Sequence, residues 1–179
     1  MATQRVPPAT ASDTEPIDTS RYECIDGELV ERPLPGDRHA EVQENVRDLI
    51  KPLAKVLGMK IHLEWTLDET DRPKHDWMTP DVLISMPGPY QRSRIGHLLP
   101  PAFLAVEVLS PGQTVTQMAA KAWRYHAWGV QHVWLIEPEE NYAVVMERDR
   151  PGGFMLFQDG ILEAGELRVS MADVLHHED

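Results

Sequence analysis

The stretch Phe103–Pro111, FLAVEVLSP, decides the fold class of this chain, because it has the pattern of a buried strand that carries one acidic residue. Its apolar side chains point to both faces, as they do in the central strand of a sheet that is covered on each side. Glu107 interrupts this pattern. An isolated ionised carboxylate in an apolar interior is costly, so it normally finds a partner, a metal ion or a proton. Glu107 therefore lies at a solvated edge, is neutralised, or has a functional role.

The segments on either side of this strand predict an α/β fold. A second apolar strand, DVLISMP, precedes it at residues 81–87, and a helix from about Val115 to Trp128 follows the SPG turn. The next strand is QHVWLIEP at residues 131–138. It completes a strand–helix–strand unit, whose two strands should be parallel with a right-handed crossover.

The rest of the chain adds elements to that unit. Residues 38–58 carry apolar side chains at helical spacing, and KIHLEWTL at residues 60–67 alternates like one half-buried strand. Near the C-terminus, NYAVVMERD (141–149), GGFMLFQDG (152–160) and GELRVS (165–170) predict an antiparallel meander. The sequence therefore predicts a mixed β-sheet flanked by helices, with an extra C-terminal antiparallel meander.

Length and composition favour a single globular domain of 179 residues. Residues 1–20, rich in Pro, Thr, Ala and Ser, predict a flexible leader, and residues 21–179 predict the folded domain. The leader lacks an apolar signal region, and no run approaches the roughly 18 apolar residues that span a bilayer. The single cysteine, Cys24, fits a reducing compartment. Together these features favour a cytoplasmic protein that does not span a membrane.

The distribution of charge is uneven along the chain. The net charge of −12 argues against a protein coated with basic surface for nucleic acid. Between residues 88 and 136, however, Glu107 is the only acidic residue, against the basic residues Arg92, Arg94, Lys121 and Arg124. This stretch is either a basic working face, with Arg92, Arg94 and Arg124 as candidate phosphate contacts, or a chance composition of surface segments.

Asp81 and Glu107 are the first candidates for chemistry. If the strands that carry them pair antiparallel, the start of one lies beside the end of the other. Their Cβ atoms would then be about 5 Å apart. Two carboxylates so close repel, and a hard divalent cation such as Mg²⁺ relieves that repulsion through oxygen ligands. For Asp81 taken alone, a structural role as the residue that enters the strand after Pro80 is the alternative.

Lys121 is predicted to join these carboxylates from the following helix. That helix begins at the carboxyl end of the Glu107 strand, where open α/β sheets place their ligands. Lys121 falls about two turns into the helix, from where its long side chain could reach back, and Gln117 shares its face one turn earlier. An ammonium group there could orient a nucleophile and stabilise developing charge. A solvated helix lysine is the alternative.

At these residues the sequence resembles the PD-(D/E)XK nuclease superfamily and, within it, the Uma-type family of restriction endonucleases. YECIDGELVE (22–31) resembles the opening hairpin of the family, TPDVLIS (79–85) its aspartate motif and AVEVLSP (105–111) its glutamate motif. These are followed by the pattern K…Y…GV…W, formed by Lys121, Tyr125, Gly129–Val130 and Trp134. The resemblance extends from Tyr22 to about Leu175.

This resemblance implies a restriction-endonuclease-like fold and cleavage of DNA phosphodiester bonds that depends on Mg²⁺, with Mn²⁺ as a substitute. By position in the motifs, Asp81 and Glu107 are metal ligands, the Val108 carbonyl is a further oxygen ligand, and Lys121 is the catalytic lysine. The usual superfamily lysine lies two residues after the glutamate, where this chain has Leu109. The Uma-type family resembles an arrangement in which the lysine comes from the helix.

Three supporting residues complete the site predicted by the resemblance. His39 lies at the position where the first helix of the family usually begins with a histidine. Its role is either packing or proton transfer. Glu44 or Glu41 on that helix is a candidate outer carboxylate. Four positions before the lysine the family usually has an acidic residue, and this chain departs from it with Gln117, which either weakens a second metal position or only alters a hydrogen bond.

The leading hypothesis is therefore a metal-dependent endonuclease that hydrolyses DNA at an Asp81–Glu107–Lys121 site. The alternative from a different class is a catalytically silent binding or assembly module that keeps the fold. A hydrolase of another phosphorylated substrate is a third reading. A homodimer or higher homo-oligomer is predicted, because many small nucleases must place two sites on two DNA strands.

Overall fold

The computed structural model describes residues 21–68, 76–92, 98–150 and 153–177, so the predicted leader at residues 1–20 lies outside the described residues. Within these ranges, no helix is long and apolar enough to cross a membrane. In chain order the elements are β1 (Tyr22–Ile25), β2 (Glu28–Glu31), α1 (Asp37–Val56), β3 (Lys60–Leu63), β4 (Leu67–Asp68), β5 (Trp77–Met78), β6 (Val82–Ser85), β7 (Gln91–Arg92), β8 (Leu98–Leu99), β9 (Ala102–Val108), α2 (Val115–Ala127), β10 (His132–Glu137), β11 (Tyr142–Glu147), β12 (Phe154–Phe157), β13 (Ile161–Ala164), β14 (Leu167–Ser170) and α3 (Met171–Val174).

A six-stranded mixed sheet forms the centre of the fold. Its strands lie in the order β12, β11, β10, β9, β6, β3. β9 and β10 are parallel and are connected through α2, whereas the other neighbouring strands are antiparallel. The predicted mixed sheet, its parallel strand–helix–strand unit and its antiparallel pairing of β6 with β9 are confirmed.

Two helices cover opposite faces of this sheet. Val82 and Ile84 of β6 belong to the buried cluster that contains the apolar face of α1. Leu83, between them, belongs to the cluster that contains the apolar face of α2. Because successive residues of a strand point to opposite faces, β6 and β9 must be apolar at nearly every position. A polar residue in either strand is therefore costly, and it needs a partner.

The segment KIHLEWTL does not form the single strand that its alternation predicted. β3 ends at Leu63, and Glu64 adopts a left-handed backbone with φ of 48°. The Glu64 N–H donates to the Asp81 carbonyl at 3.2 Å, which anchors this turn beside the start of β6. The chain then enters a separate four-stranded sheet through β4. The hydrogen bond between Glu64 and Asp81 therefore accompanies the end of the strand, although the alternation of apolar and polar residues continues to Leu67.

The C-terminal segments divide between two locations. β11 and β12 extend the large sheet in antiparallel fashion, as the predicted meander requires. β13 and β14 instead pair only with each other in a separate hairpin. The buried residues of this hairpin, such as Leu162 and Leu167, belong to the α1 cluster. The hairpin therefore closes the core beside α1 instead of lengthening the sheet.

Candidate functional site

Asp81 and Glu107 are brought together at the boundary between β6 and β9. Val82 pairs with Val106 in the antiparallel register, so one step further places Asp81 beside Glu107. The Val108 N–H donates to Asp81 Oδ2 at 2.7 Å, which ties the two strand ends together at this point. Both side chains are buried. The cross-strand arrangement that the sequence predicted is therefore present.

Lys121 reaches this pair from α2. Its Nζ lies 2.8 Å from Glu107 Oε1 and, on its other side, 2.8 Å from Glu23 Oε1. Glu23 lies on β1 and is itself held by the Thr79 N–H, which donates to its Oε1 at 2.8 Å. The ammonium group of Lys121 therefore bridges two buried carboxylates from different sheets.

Tyr125 lies one helical turn after Lys121 and contacts the same carboxylate. Its hydroxyl donates to Glu107 Oε1 at 2.5 Å. Among the described residues, no hydrogen bond to the second oxygen, Glu107 Oε2, is formed. One oxygen of Glu107 is thus held by two donors from α2, and the other is the oxygen available to a ligand.

The pKa of the Glu107 carboxyl is raised from 4.5 to about 7. Burial is the largest cause of this increase, and the negative charges of Asp81 and Glu23 act in the same direction. The Lys121 charge opposes them but does not cancel the shift. Glu107 is therefore poised between its two protonation states near neutral pH, and a nearby cation would favour the ionised one.

Lys121 remains a cation at neutral pH. Burial alone would lower its pKa, but the carboxylates of Glu107 and Glu23 outweigh burial and raise the pKa above its ordinary value of 10.5. A lysine that keeps its proton cannot act as a general base. Its contribution is a fixed positive charge beside Glu107, suited to stabilising negative charge that develops on a substrate.

Asp81 is flanked by two further groups. His39 Nε2, from α1, lies 3.4 Å from Asp81 Oδ1, and Arg32 Nη2, which follows β2, lies 3.6 Å from the same oxygen. Ser110 Oγ lies 3.2 Å from His39 Nδ1 and so fixes the position of the ring. Burial opposes the charge of Arg32, but Glu23 and Asp81 raise its pKa, so Arg32 also stays charged.

The structure does not bring the other predicted residues into this cluster. Glu44 is exposed, with its carboxylate 3.8 Å from Arg47 on the same helix. Glu41 instead pairs with Arg38 and His177. In these contacts, neither Glu41 nor Glu44 supplies the outer carboxylate that was predicted beside Asp81.

Gln117 has a structural role at the start of α2. Its Oε1 accepts from the Thr114 N–H at 3.0 Å, and its own N–H donates to Thr114 Oγ1, which together form a capping box. Such a reciprocal pair satisfies two N–H groups that the first helical turn leaves without partners. A glutamine performs this as well as a glutamate.

The predicted DNA-contacting residues are dispersed. Arg124 points back to the first hairpin, where it forms an ion pair with Asp26 at 2.5 Å. Arg92 is exposed at the end of β7. Arg94 and His97 lie outside the described residues. Of the basic stretch, Lys121 and Arg124 are thus engaged in ion pairs with acidic residues of the β1–β2 hairpin.

Sequence reasoning missed two members of the cluster, Glu23 and Arg32. Glu23 lies in the hairpin YECIDGELVE that carried part of the resemblance, but four acidic residues occur between positions 23 and 31. Of the four residues of β1, Glu23 and Cys24 are buried and the two end residues are partly exposed. Glu107 was identified because it interrupts a long apolar strand. The hairpin has no such apolar run, so its sequence does not show which of its acidic residues is buried.

The cluster has a donor set suited to a hard cation. When Glu107 is ionised, the carboxylates of Glu23, Asp81 and Glu107 outnumber the positive charges of Lys121 and Arg32 by one. Within the part of the chain that the structure describes, no three His, Cys, Asp or Glu side chains are grouped to hold a metal ion. Mg²⁺ needs only one or two carboxylates, because it keeps several waters. Asp81 and Glu107 therefore fit Mg²⁺ by ligand type and number.

Comparisons with known proteins give a family and a fold. The model of the Uma2 family, described as "Putative restriction endonuclease", matches residues 14–170. Among solved structures, the chain is similar to a "putative nuclease belonging to DUF820" from Anabaena variabilis ATCC 29413, with a TM-score of 0.70 and 24% identity over 86% of this chain and 89% of that one. A chain of the DrdV–DNA complex matches at a TM-score of only 0.34 and 13% identity, over 76% of this chain and 12% of that one. That likeness is too distant to carry an argument. No curated protein matches.

Proposed function

The chain belongs to the Uma2 family of restriction-endonuclease-like proteins, and from this premise we propose that it is a metal-dependent endonuclease that hydrolyses DNA phosphodiester bonds. The observation that carries the proposal is the convergence of Asp81, Glu107 and Lys121 at one point of the large sheet. Two buried carboxylates and a charged amine provide ligands for a cation and a fixed positive charge, both of which favour hydrolysis of a phosphodiester.

Each residue of the cluster has a role that follows from its contacts. Asp81 and Glu107, with the Val108 carbonyl, would hold Mg²⁺ or Mn²⁺, which supplies charge neutralisation at the phosphate and lowers the pKa of water. Lys121 stabilises negative charge on the phosphate oxygens. Tyr125 orients Glu107 through its hydrogen bond, while Arg32 and His39 orient Asp81.

Divalent-ion titration of the wild-type protein tests this proposal. We expect cleavage of DNA in Mg²⁺ or Mn²⁺ and none in EDTA, with RNA and small phosphodiesters as the comparison substrates. We also expect the Mn²⁺ affinity measured by calorimetry to tighten as the pH rises to about 7 and then to level off. Below that pH the ion must displace the proton of Glu107, so the affinity should fall by roughly tenfold per pH unit. A protein that neither binds Mn²⁺ nor cleaves DNA at any pH contradicts the proposal.

A catalytically silent binding or assembly module is the second candidate. The observation that favours it is the engagement of Gln117 in the cap of α2, at the position where the family usually places an acidic residue. The titration separates the two candidates, because the silent module binds no divalent ion. Cleavage of RNA or small phosphodiesters in preference to DNA would instead indicate a hydrolase of another phosphorylated substrate.

We extend the proposal to a homodimer formed through β12. This strand lies at the edge of the large sheet and exposes 67% of Phe154 and 59% of Leu156. An edge strand can pair antiparallel with the same strand of a second copy, which closes a two-fold dimer and buries such side chains.

Sedimentation equilibrium should accordingly report a dimer that Leu156→Lys converts to a monomer. Ile161→Lys, at an exposed apolar position on β13, is the matched control and should leave the dimer intact. A monomeric wild-type protein at high concentration contradicts the dimer alone, without bearing on the nuclease site.

A further inference from the structure

Three aromatic rings form a half-buried group at the β3 edge of the large sheet. His62 lies on β3, Trp65 follows the end of that strand, and Tyr90 follows β6. The ring centroids are 4.8 Å apart for His62 and Trp65, 6.0 Å for His62 and Tyr90, and 6.2 Å for Trp65 and Tyr90. Lys60 Nζ lies 5.3 Å from the centroid of the Tyr90 ring. We refer to these four residues as the aromatic corner.

Hydrogen bonds fix the orientation of the rings. Trp65 Nε1 donates to the Leu98 carbonyl at 2.7 Å. His62 Nε2 lies 2.9 Å from Ser85 Oγ and 3.3 Å from the Tyr90 hydroxyl. All three aromatic side chains are only partly buried, so each retains accessible surface. Rings that are ordered in advance lose little conformational entropy when a ligand binds them.

The aromatic corner opens on the same face of the sheet as the two carboxylates. His62 pairs with Leu83, and Leu83 pairs with Ala105, so these side chains share one face, the face that α2 covers. Asp81 and Glu107 lie two residues further along β6 and β9, and these strands are one and two places across the sheet from β3. At about 3.3 Å per residue and about 4.8 Å between strands, the His62 backbone is about 8 Å from that of Asp81 and about 12 Å from that of Glu107. One bound single strand can therefore stack a base on the aromatic corner and present a neighbouring phosphate to the carboxylates.

The charge of the protein favours stacking over phosphate contacts as the source of nucleic-acid affinity. With 17 basic and 29 acidic residues, the chain has few cations to match a duplex backbone. Stacking of a base on an aromatic ring does not depend on net charge. Burial, helped by the Lys60 charge, lowers the pKa of His62, so this ring also stays uncharged at neutral pH.

We propose that the aromatic corner is a binding subsite for an unpaired nucleobase, and that the substrate is a single-stranded segment of DNA. In a duplex the base faces are covered by neighbouring bases, so only an unpaired base can stack on these rings. Lys60 contacts the phosphate of the same nucleotide. This inference rests on the proposed nuclease function, because it places the stacked base next to the phosphate that the carboxylates and Lys121 would act on.

Binding measured in EDTA, where no cleavage is expected, tests the subsite separately from catalysis. Fluorescence anisotropy would compare a short oligothymidylate with an abasic strand of the same length. We expect the wild-type protein to prefer the strand with bases by roughly tenfold. Tyr90→Leu, which keeps an apolar side chain but removes the ring, should abolish the preference, whereas Tyr90→Phe, the matched control, should keep it.

Three outcomes would overturn the inference. These are equal binding of the two strands by the wild-type protein, no binding of either strand, and an equal loss of preference in Tyr90→Phe and Tyr90→Leu. If Tyr90→Leu does not fold, Trp65→Leu and the wild-type comparison still decide the question. If the protein prefers the strand with bases but does not cleave DNA in Mg²⁺, the nucleobase subsite is supported and the nuclease function is rejected. If it cleaves DNA but shows no such preference, the nuclease function is supported and the subsite is rejected.

Discussion

The variant Glu107→Gln should lower the rate of DNA cleavage by roughly 10²- to 10³-fold, the loss that follows when a preorganised electrostatic contact is removed from an active site. Glutamine has the shape of glutamate, and its Oε1 can still accept from Lys121 and Tyr125. It lacks the negative charge that, together with Asp81, would attract a divalent cation. Single-turnover cleavage in Mg²⁺ and Mn²⁺ measures the loss. Glu163→Gln, on an exposed ion pair of β13, is the matched control and should retain full activity.

Stability measurements should show that this loss is not a loss of fold. The pKa of Glu107 is raised from 4.5 in the unfolded chain to about 7 in the folded protein. The folded state therefore binds this proton more tightly, and ionisation of Glu107 destabilises the fold progressively as the pH rises from about 4.5 through 7. Glutamine does not ionise. In EDTA at about pH 8, Glu107→Gln should be at least as stable towards urea as the wild type, and wild-type cleavage rates in this variant would refute the assignment.

The variant Lys121→Met should destabilise the protein more than a change at any surface lysine. Methionine preserves the apolar stem but leaves Glu107 and Glu23 in a buried site without their shared cation. Breaking a buried pair in this way typically costs about 3–5 kcal/mol. Because the folded-state pKa of Lys121 is raised above 10.5, its contribution is fully present at neutral pH and is lost only in strongly alkaline solution. Urea unfolding at about pH 8 measures the free energy.

Two further variants test whether the loss of stability in Lys121→Met comes from the two carboxylates left without a cation. Lys55→Met, at an exposed position in the last turn of α1, should change the free energy of unfolding by no more than about 0.5 kcal/mol. The double variant Glu23→Gln/Lys121→Met removes one of the two stranded carboxylates and should regain part of the stability. If Lys121→Met alone unfolds at the wild-type urea concentration, the bridge between Glu107 and Glu23 does not stabilise the fold.

Periodicity made the sheet predictable. β6 and β9 are apolar at consecutive positions because both of their faces are covered, and α1 and α2 show helical spacing because each has one buried face. The strand predicted across residues 60–67 failed for the opposite reason. Its alternation continues through Glu64, but a hydrogen bond to Asp81 turns the backbone at that residue. Local pattern carries no information about a partner that is distant in the chain.

The site was predictable only where its members lie on elements that are adjacent in the fold and close in sequence. Asp81 and Glu107 follow from the pairing of two strands, and Lys121 follows from its distance along the next helix. Glu23 and Arg32 belong to the first hairpin, which packs against this site through contacts with residues far along the chain. Several acidic residues of that hairpin were equal candidates, and their burial alone distinguishes them.

The amino-acid sequence by itself determined the two long helices, the mixed sheet and the pair of strands that carry the two carboxylates, because periodic burial and strand pairing act over short distances along the chain. The tertiary structure alone decided that Lys121 is shared between Glu107 and Glu23, that Asp81 is flanked by His39 and Arg32, and that Gln117 caps a helix. Those outcomes depend on which charges become buried together, and electrostatic interactions at close range are set by spatial proximity instead of sequence separation.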